Sequence, residues 1–217
     1  MKNFYEFGIS DKTLVSLSEM GFEEPTPIQK AAIPPAMSGK DIIGQAQTGT
    51  GKTAAFGIPL IEKRPDTRSR NPYSLVLTPT RELAVQVSEA LNKMGAKAGV
   101  VSLPVYGGQS IVLQMKSLKK GVDIVVGTPG RLIDHINRKT LNLKEVSTLV
   151  LDEADEMLNM GFKEDIEKIL KEVTSDRQTL LFSATMPQEI LRIAKTYMKK
   201  PVHVSVDANE MIVAKIK

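Results

Sequence analysis

The chain reads as an α/β domain with a mostly parallel central sheet of about seven strands and helices on both faces. Three observations point there. Short apolar runs recur seven times along the 217 residues. Several are almost continuous in Val, Ile and Leu, as strands covered on both faces require. Between them lie segments with apolar residues three and four apart, the spacing of amphipathic helices.

Taken in order, SDKTLVSLSEM (10–20) is helical, GFEEPTP turns the chain, and IQKAAIPPAM carries a second helix. The first strand is DIIG (41–44), followed by a turn-forming QTGTG and a helix begun by KTAAFGIPLIEK. The polar stretch EKRPDTRSRNP (62–72) forms an exposed loop, not a domain boundary. YSLVLT (73–78) is the next strand, and RELAVQVSEALNKM (81–94) a long helix. VVSLPV (100–105), DIVVG (123–127) and TLVLD (148–152) continue the strand series. EDIEKILKEV (164–173) adds a helix before the strands QTLLFS (178–183) and VHVSV (202–206). The tail DANEMIVAKIK (207–217) has no core of its own.

Composition narrows the function. With 41% hydrophobic and 25% charged residues the chain can bury a core beneath a soluble surface. No apolar run approaches the roughly 18 residues of a membrane span. MKNFYEFGIS lacks the apolar region of a signal peptide, so a cytoplasmic location is expected. The absence of cysteine excludes disulfides, thiolate metal sites and a thiol nucleophile, and the two histidines lack metal-ligand spacing. A net charge of +4 leans only mildly toward a polyanionic partner.

The sharpest motif is AQTGTGKT (46–53), close to the phosphate-loop pattern G-x-x-x-x-G-K-[ST] but with Ala46 at the first glycine. Alanine is acceptable there if φ stays negative. Strand, glycine-rich turn and helix follow one another as the mechanism requires. The backbone from Gln47 through Thr48, Gly49, Thr50 and Gly51 would turn N–H groups onto phosphate oxygens at a helix N-terminus. Lys52 would reach the β- and γ-phosphates, and the Thr53 hydroxyl would ligate Mg²⁺. TLVLDEAD supplies the acidic partner. Asp152 at a strand end would hold Mg²⁺ and Glu153 would orient or deprotonate an attacking water. Acidic residues after a strand also suit a solvated helix start, and it is the neighbouring phosphate loop that favours chemistry.

Together with GFEEPTPIQ (21–29), PTRELA (79–84), Gly107-Gly108, TPGR (128–131) and SAT (183–185), these motifs resemble the DEAD-box RNA helicases, in that family's order. The loop form AQTGTGKT, alanine included, is the family's own. The resemblance implies a RecA-like fold over 1–206 and the start of a linker over 207–217. Every motif belongs to the first of the family's two RecA-like domains. The second domain's H-R-x-G-R-x-x-R is absent, since neither His135 nor His203 precedes an arginine.

The resemblance further implies ATP and Mg²⁺ as cofactors and RNA as partner. Gln29 would read the adenine edge through its paired amide donor and acceptor. Phe22 or Phe4 would pack near the base, although lone aromatics serve a core equally well. Pro79, Thr80, Arg81, Gly107, Gly108, Thr128, Pro129, Gly130 and Arg131 would form the RNA face. They offer hydroxyls, backbone N–H groups and two arginines, which bind phosphate and sugar without reading sequence. Taken without the family, Thr80 and Thr128 are helix caps and the glycine pair a turn. Ser183 and Thr185 would contact Asp155 and couple nucleotide state to RNA, with a helix cap at Thr185 as the structural alternative.

Three functions stay open on these residues: an RNA-dependent ATPase that separates or remodels short duplexes, an ATP-gated RNA clamp, and a DNA helicase or unrelated P-loop ATPase. GFEEPTPIQ and the DEAD string argue against the last.

Overall fold

The computed structural model describes residues 3–67 and 69–206; the expected linker, 207–217, lies outside the described residues. All seven expected strands are present: β1 (Ile42–Gln45), β2 (Ser74–Leu77), β3 (Ser102–Val105), β4 (Ile124–Gly127), β5 (Thr148–Leu151), β6 (Gln178–Ser183) and β7 (Val202–Ser205). They form one sheet in the order β3-β4-β2-β5-β6-β1-β7. Every pairing is parallel, so "mostly parallel" becomes wholly parallel. The register runs residue against residue, Ile42 opposite Leu180 and Leu75 opposite Leu149.

Two helices, α1 (Asp11–Glu19) and α2 (Pro27–Met37), precede β1, and the crossovers that parallel strands need run through α3 (Lys52–Glu62), α4 (Arg81–Met94), α5 (Ile111–Lys119), α6 (Pro129–Asn137), α7 (Ala154–Asn159), α8 (Lys163–Glu172) and α9 (Gln188–Tyr197). Strand side chains alternate between two cores. Leu180 and Phe182 join Ile28, Ile33, Phe56, Ile58 and Leu91 from α2, α3 and α4. Leu181, with Leu75, Leu149 and Leu151, joins Leu132, Met157, Ile166 and Ile190 from α6 to α9. That two-sided burial explains why the strands read as continuous apolar runs.

Close packing governs β1. A Cβ at Gly44 would lie 2.6 Å from the Phe182 ring, which itself stacks at 5.6 Å against Phe56. The edge strand β3 carries Pro104, which lacks a ladder donor and suits an outer position.

Parallel strands also share one carboxyl end, and every motif except GFEEPTPIQ, which precedes β1, follows a strand there. The phosphate loop succeeds β1, Pro79-Thr80 β2, Gly107-Gly108 β3, Thr128-Pro129 β4, Asp152 β5, and Ala184-Thr185 β6. The crevice at the carboxyl ends of an open parallel sheet is where such folds bind ligands.

Candidate nucleotide site and nucleic-acid face

Ala46 extends the β1 ladder, its N–H donating to Ser183 O at 3.1 Å. It is not among the residues of positive φ, so the substituted first position carries no strain. The loop bends instead at Gly49 and Gly51, with φ of 82° and 91°, and α3 starts at Lys52. A helix N-terminus thus opens directly onto the loop. Gln47, Thr48 and Gly49 are exposed, while Thr50 is buried and donates to Gln47 O at 2.8 Å.

The polar groups here are left wanting. Lys52 and Asp152 are both buried, yet Lys52 Nζ and Asp152 Oδ1 have no hydrogen-bond partner. Thr26 Oγ1, beside Gly51, faces the backbone of Gln29 in a capping box, with no close hydrogen bond of its own. Buried polar atoms are normally satisfied, so a cationic and an anionic orphan beside one glycine-rich loop fit an anionic ligand with a divalent cation. Burial pushes the Asp152 carboxyl up to about 6; the Lys52 charge pulls against that, and Glu153 and Asp155 add to it. Among the described residues no group of three or more His, Cys, Asp or Glu side chains is placed to hold a metal. Thr53 and Asp152 with phosphate oxygens would suit Mg²⁺, which keeps few protein ligands.

Glu153 stands in the left-handed region at φ 52°, a costly conformation for a non-glycine residue and one found at functional sites. Its carboxylate accepts from Thr48 Oγ1 at 3.1 Å, tying β5 to the phosphate loop. Gln29 is also buried. Its Oε1 accepts from Thr26 N at 2.9 Å, and its Nε2 donates to Gly51 O at 3.1 Å. The amide therefore spends one donor and one lone pair on the protein, and one of each remains unengaged. Phe4 is a core residue with its ring 5.9 Å from that of half-buried Phe22.

Asp155 is joined to the SAT segment. Its carboxylate accepts from Thr185 N at 2.9 Å and Thr185 Oγ1 at 2.8 Å, and its own N–H donates to Ser183 Oγ at 3.2 Å. Burial alone would raise this carboxyl, but hydrogen bonds from Thr185 and Ser183 hold it below the usual range. Thr185 does not cap the next helix; Pro187 occupies that position.

The second group of motifs lies along β2, β3 and β4. Thr80 caps α4, accepting from Leu83 N at 3.2 Å, whereas Thr128 precedes α6 without a side-chain cap bond. Arg81 is exposed and its guanidinium sits 5.0 Å from the Tyr106 ring centre. Gly107, Gly108 and Gly130 are exposed, and Gly108 turns at φ 85°. Arg131 donates to Gln109 O at 2.9 Å and Gln114 Oε1 at 3.0 Å. Sequence reasoning passed over Tyr106, Gln109, Gln114 and His135, which support these residues from behind. No short motif marks them, since their roles depend on contacts across separate segments.

The carboxyl-end crevice contrasts with the opposite end of the sheet. There a cavity of about 420 Å³ is floored by Pro72, Met115, Leu118 and Leu141, far from every orphaned polar group of the phosphate loop. A second depression there is lined by Lys144, Lys171, Arg177 and Lys199.

A family model described as DEAD/DEAH box helicase matches residues 26–193. The chain belongs to that family. It is 59% identical over all 217 residues to the DEAD-box ATP-dependent RNA helicase CshA of Bacillus cereus (strain ATCC 10987 / NRS 248), of which it covers 41%. It is 58% identical over 214 residues to CshA of Bacillus subtilis (strain 168), with 99% of this chain and 43% of that protein covered. The crystal structure of a DEAD box protein from Methanococcus jannaschii superposes with a TM-score of 0.91 at 48% identity, over 95% of this chain and 56% of that one. The fold is therefore the RecA-like domain of DEAD-box proteins, and the chain spans about two fifths of the length of these curated relatives.

Proposed function

We propose that the chain is the ATP-binding and RNA-backbone-binding half of an ATP-dependent RNA helicase that remodels or unwinds short RNA duplexes. The observation that carries this reading is the orphaned pair Lys52 Nζ and Asp152 Oδ1, buried beside a loop bent by two left-handed glycines. Lys52 binds the terminal phosphates, and Thr53 and Asp152 would hold Mg²⁺, which would supply charge neutralisation at the phosphate oxygens. Glu153, released from Thr48, orients the attacking water. Gln29 meets the adenine edge with its remaining donor and lone pair, and Phe22 flanks the base.

Asp155, Ser183 and Thr185, bonded to one another, would couple nucleotide state to the RNA face of Thr80, Arg81, Gly107, Gly108, Thr128 and Arg131. Those groups suit phosphate and sugar, so binding is salt-sensitive and nearly blind to sequence. A second RecA-like domain completes the strand grip and the charge stabilisation. The length of the relatives supports its presence in the whole protein.

Calorimetric titration with Mg²⁺–ATP tests the site. Lys52→Ala and Asp152→Asn should each weaken binding about tenfold or more, since a charged contact is worth about 1.5–3 kcal/mol. Unchanged affinity in both variants would remove the site assignment.

A further inference from the structure

Behind the RNA face lies a buried amide with every hydrogen-bonding position filled. Gln114, on α5, is 2% exposed. Its Nε2 donates to Tyr106 O and to Gln109 Oε1, both at 2.9 Å. Its Oε1 accepts from Arg131 Nη1 and from His135 Nε2, both at 3.0 Å. A glutamine amide has two N–H donors and two acceptor lone pairs, so this one is saturated.

The orientation is forced. Reversing the amide would set its oxygen against the Tyr106 carbonyl and its NH₂ against a guanidinium. Because Oε1 can only accept, His135 Nε2 must carry a hydrogen. Burial, then the Arg131 charge, lowers the pKa of His135 and keeps the ring neutral. In the neutral ring Nδ1 is an acceptor 2.8 Å from the Thr140 hydroxyl, whose single hydrogen it shares with the His135 carbonyl at 3.1 Å. The tautomer of one buried ring and the aim of one amide thus fix each other.

We infer that Gln114 is a positioning residue for the RNA face, acting through Arg131 and the 106–109 turn. It ties together three segments that share no strand. The Arg131 guanidinium, on α6, is braced by Gln114 and by the Gln109 carbonyl. The Tyr106 carbonyl is held immediately before Gly107-Gly108. The Tyr106 ring in turn lies beneath Arg81 at 5.0 Å. Both arginines are therefore referred to a single amide, which lowers the cost of ordering two long side chains when a strand binds.

The inference rests on the RNA-face reading, and the test separates the two. Single-stranded RNA binding is measured by fluorescence anisotropy for wild type, Gln114→Met, Arg131→Ala and the double variant, with Mg²⁺–ATP affinity measured alongside. Methionine keeps the length and volume of the side chain while removing all four hydrogen bonds. Gln114→Met should weaken RNA binding about tenfold and leave nucleotide affinity within about twofold. The double variant should lose much less than the product of the two single losses, because Gln114 works through Arg131. Equal RNA affinity for Gln114→Met and wild type, with Arg131→Ala impaired, would overturn the positioning role. Full multiplicativity, or a parallel loss of nucleotide binding, would also overturn it. An unimpaired Arg131→Ala would sink the RNA-face reading and this inference together. Wild-type protein offers a measurement independent of any variant's folding. The His135 Nε2–H resonance should shift on saturation with RNA, and an unmoved signal counts against the relay.

Discussion

His135 shows how one residue's chemistry was hidden from the sequence. As one of two histidines without metal spacing it drew no role, yet it is fully buried between Gln114 and Thr140. Burial lowers its pKa from 6.5, the Arg131 and Arg138 charges acting with burial and Asp134 against it. Below about 6.5 the unfolded chain takes up a proton that the folded ring refuses, so acidification destabilises the fold. The penalty is absent well above that pH. It grows as pH falls, at no more than about 1.4 kcal/mol per pH unit. Urea denaturation at pH 7.5 and 5.5 should therefore show a larger drop in midpoint for wild type than for His135→Asn. Equal drops would mean that His135 titrates normally. Gln29 teaches the complementary lesson. Its motif was readable, but not that its amide bonds Thr26 N and Gly51 O, for residues 29 and 51 meet only in the folded chain.

At the scale of elements, strands were the most readable feature, because two-sided burial writes itself as uninterrupted apolar runs. Strand ends were less so. YSLVLT is trimmed to Ser74–Leu77, although Tyr73 and Thr78 still flank the strand in register, Tyr73 N–H donating to Asp123 O and Thr78 N–H to Gly127 O, both at 3.0 Å. The alternative reading of Thr185 as a helix cap does not hold, for a physical reason. Its hydroxyl is engaged by Asp155, thirty residues away in sequence, and Pro187 starts α9 instead. Packing between β1 and β6 yields a stability prediction. Gly44→Ala drives a methyl into the Phe182 ring at 2.6 Å, and that ring is already backed by Phe56. Overpacking of this kind costs about 1–3 kcal/mol. Thermal or urea unfolding should show such a loss, and a neutral result would mean that the β1–β6 core yields more readily than its geometry indicates.

For the whole molecule, an arginine finger contributes about 10³–10⁵ in rate to phosphoryl transfer, and in the proposed enzyme it comes from a second domain. The 217-residue chain should bind Mg²⁺–ATP yet release phosphate negligibly, with or without RNA. A longer chain carrying the second domain should gain RNA-stimulated turnover by orders of magnitude, and Glu153→Gln within it should suppress turnover while ATP still binds. A steady-state phosphate-release assay on the three proteins decides this, and full turnover by the short chain would contradict the half-site reading. The sheet's single direction also has a practical side. All candidate chemistry stands at one end of the strands, while exposed Lys144 and Lys171 stand at the other beside Arg177. The chain contains no cysteine. One thiol introduced by Lys171→Cys would therefore be unique, and a dye or surface tether fixed to it would leave the nucleotide crevice facing solution.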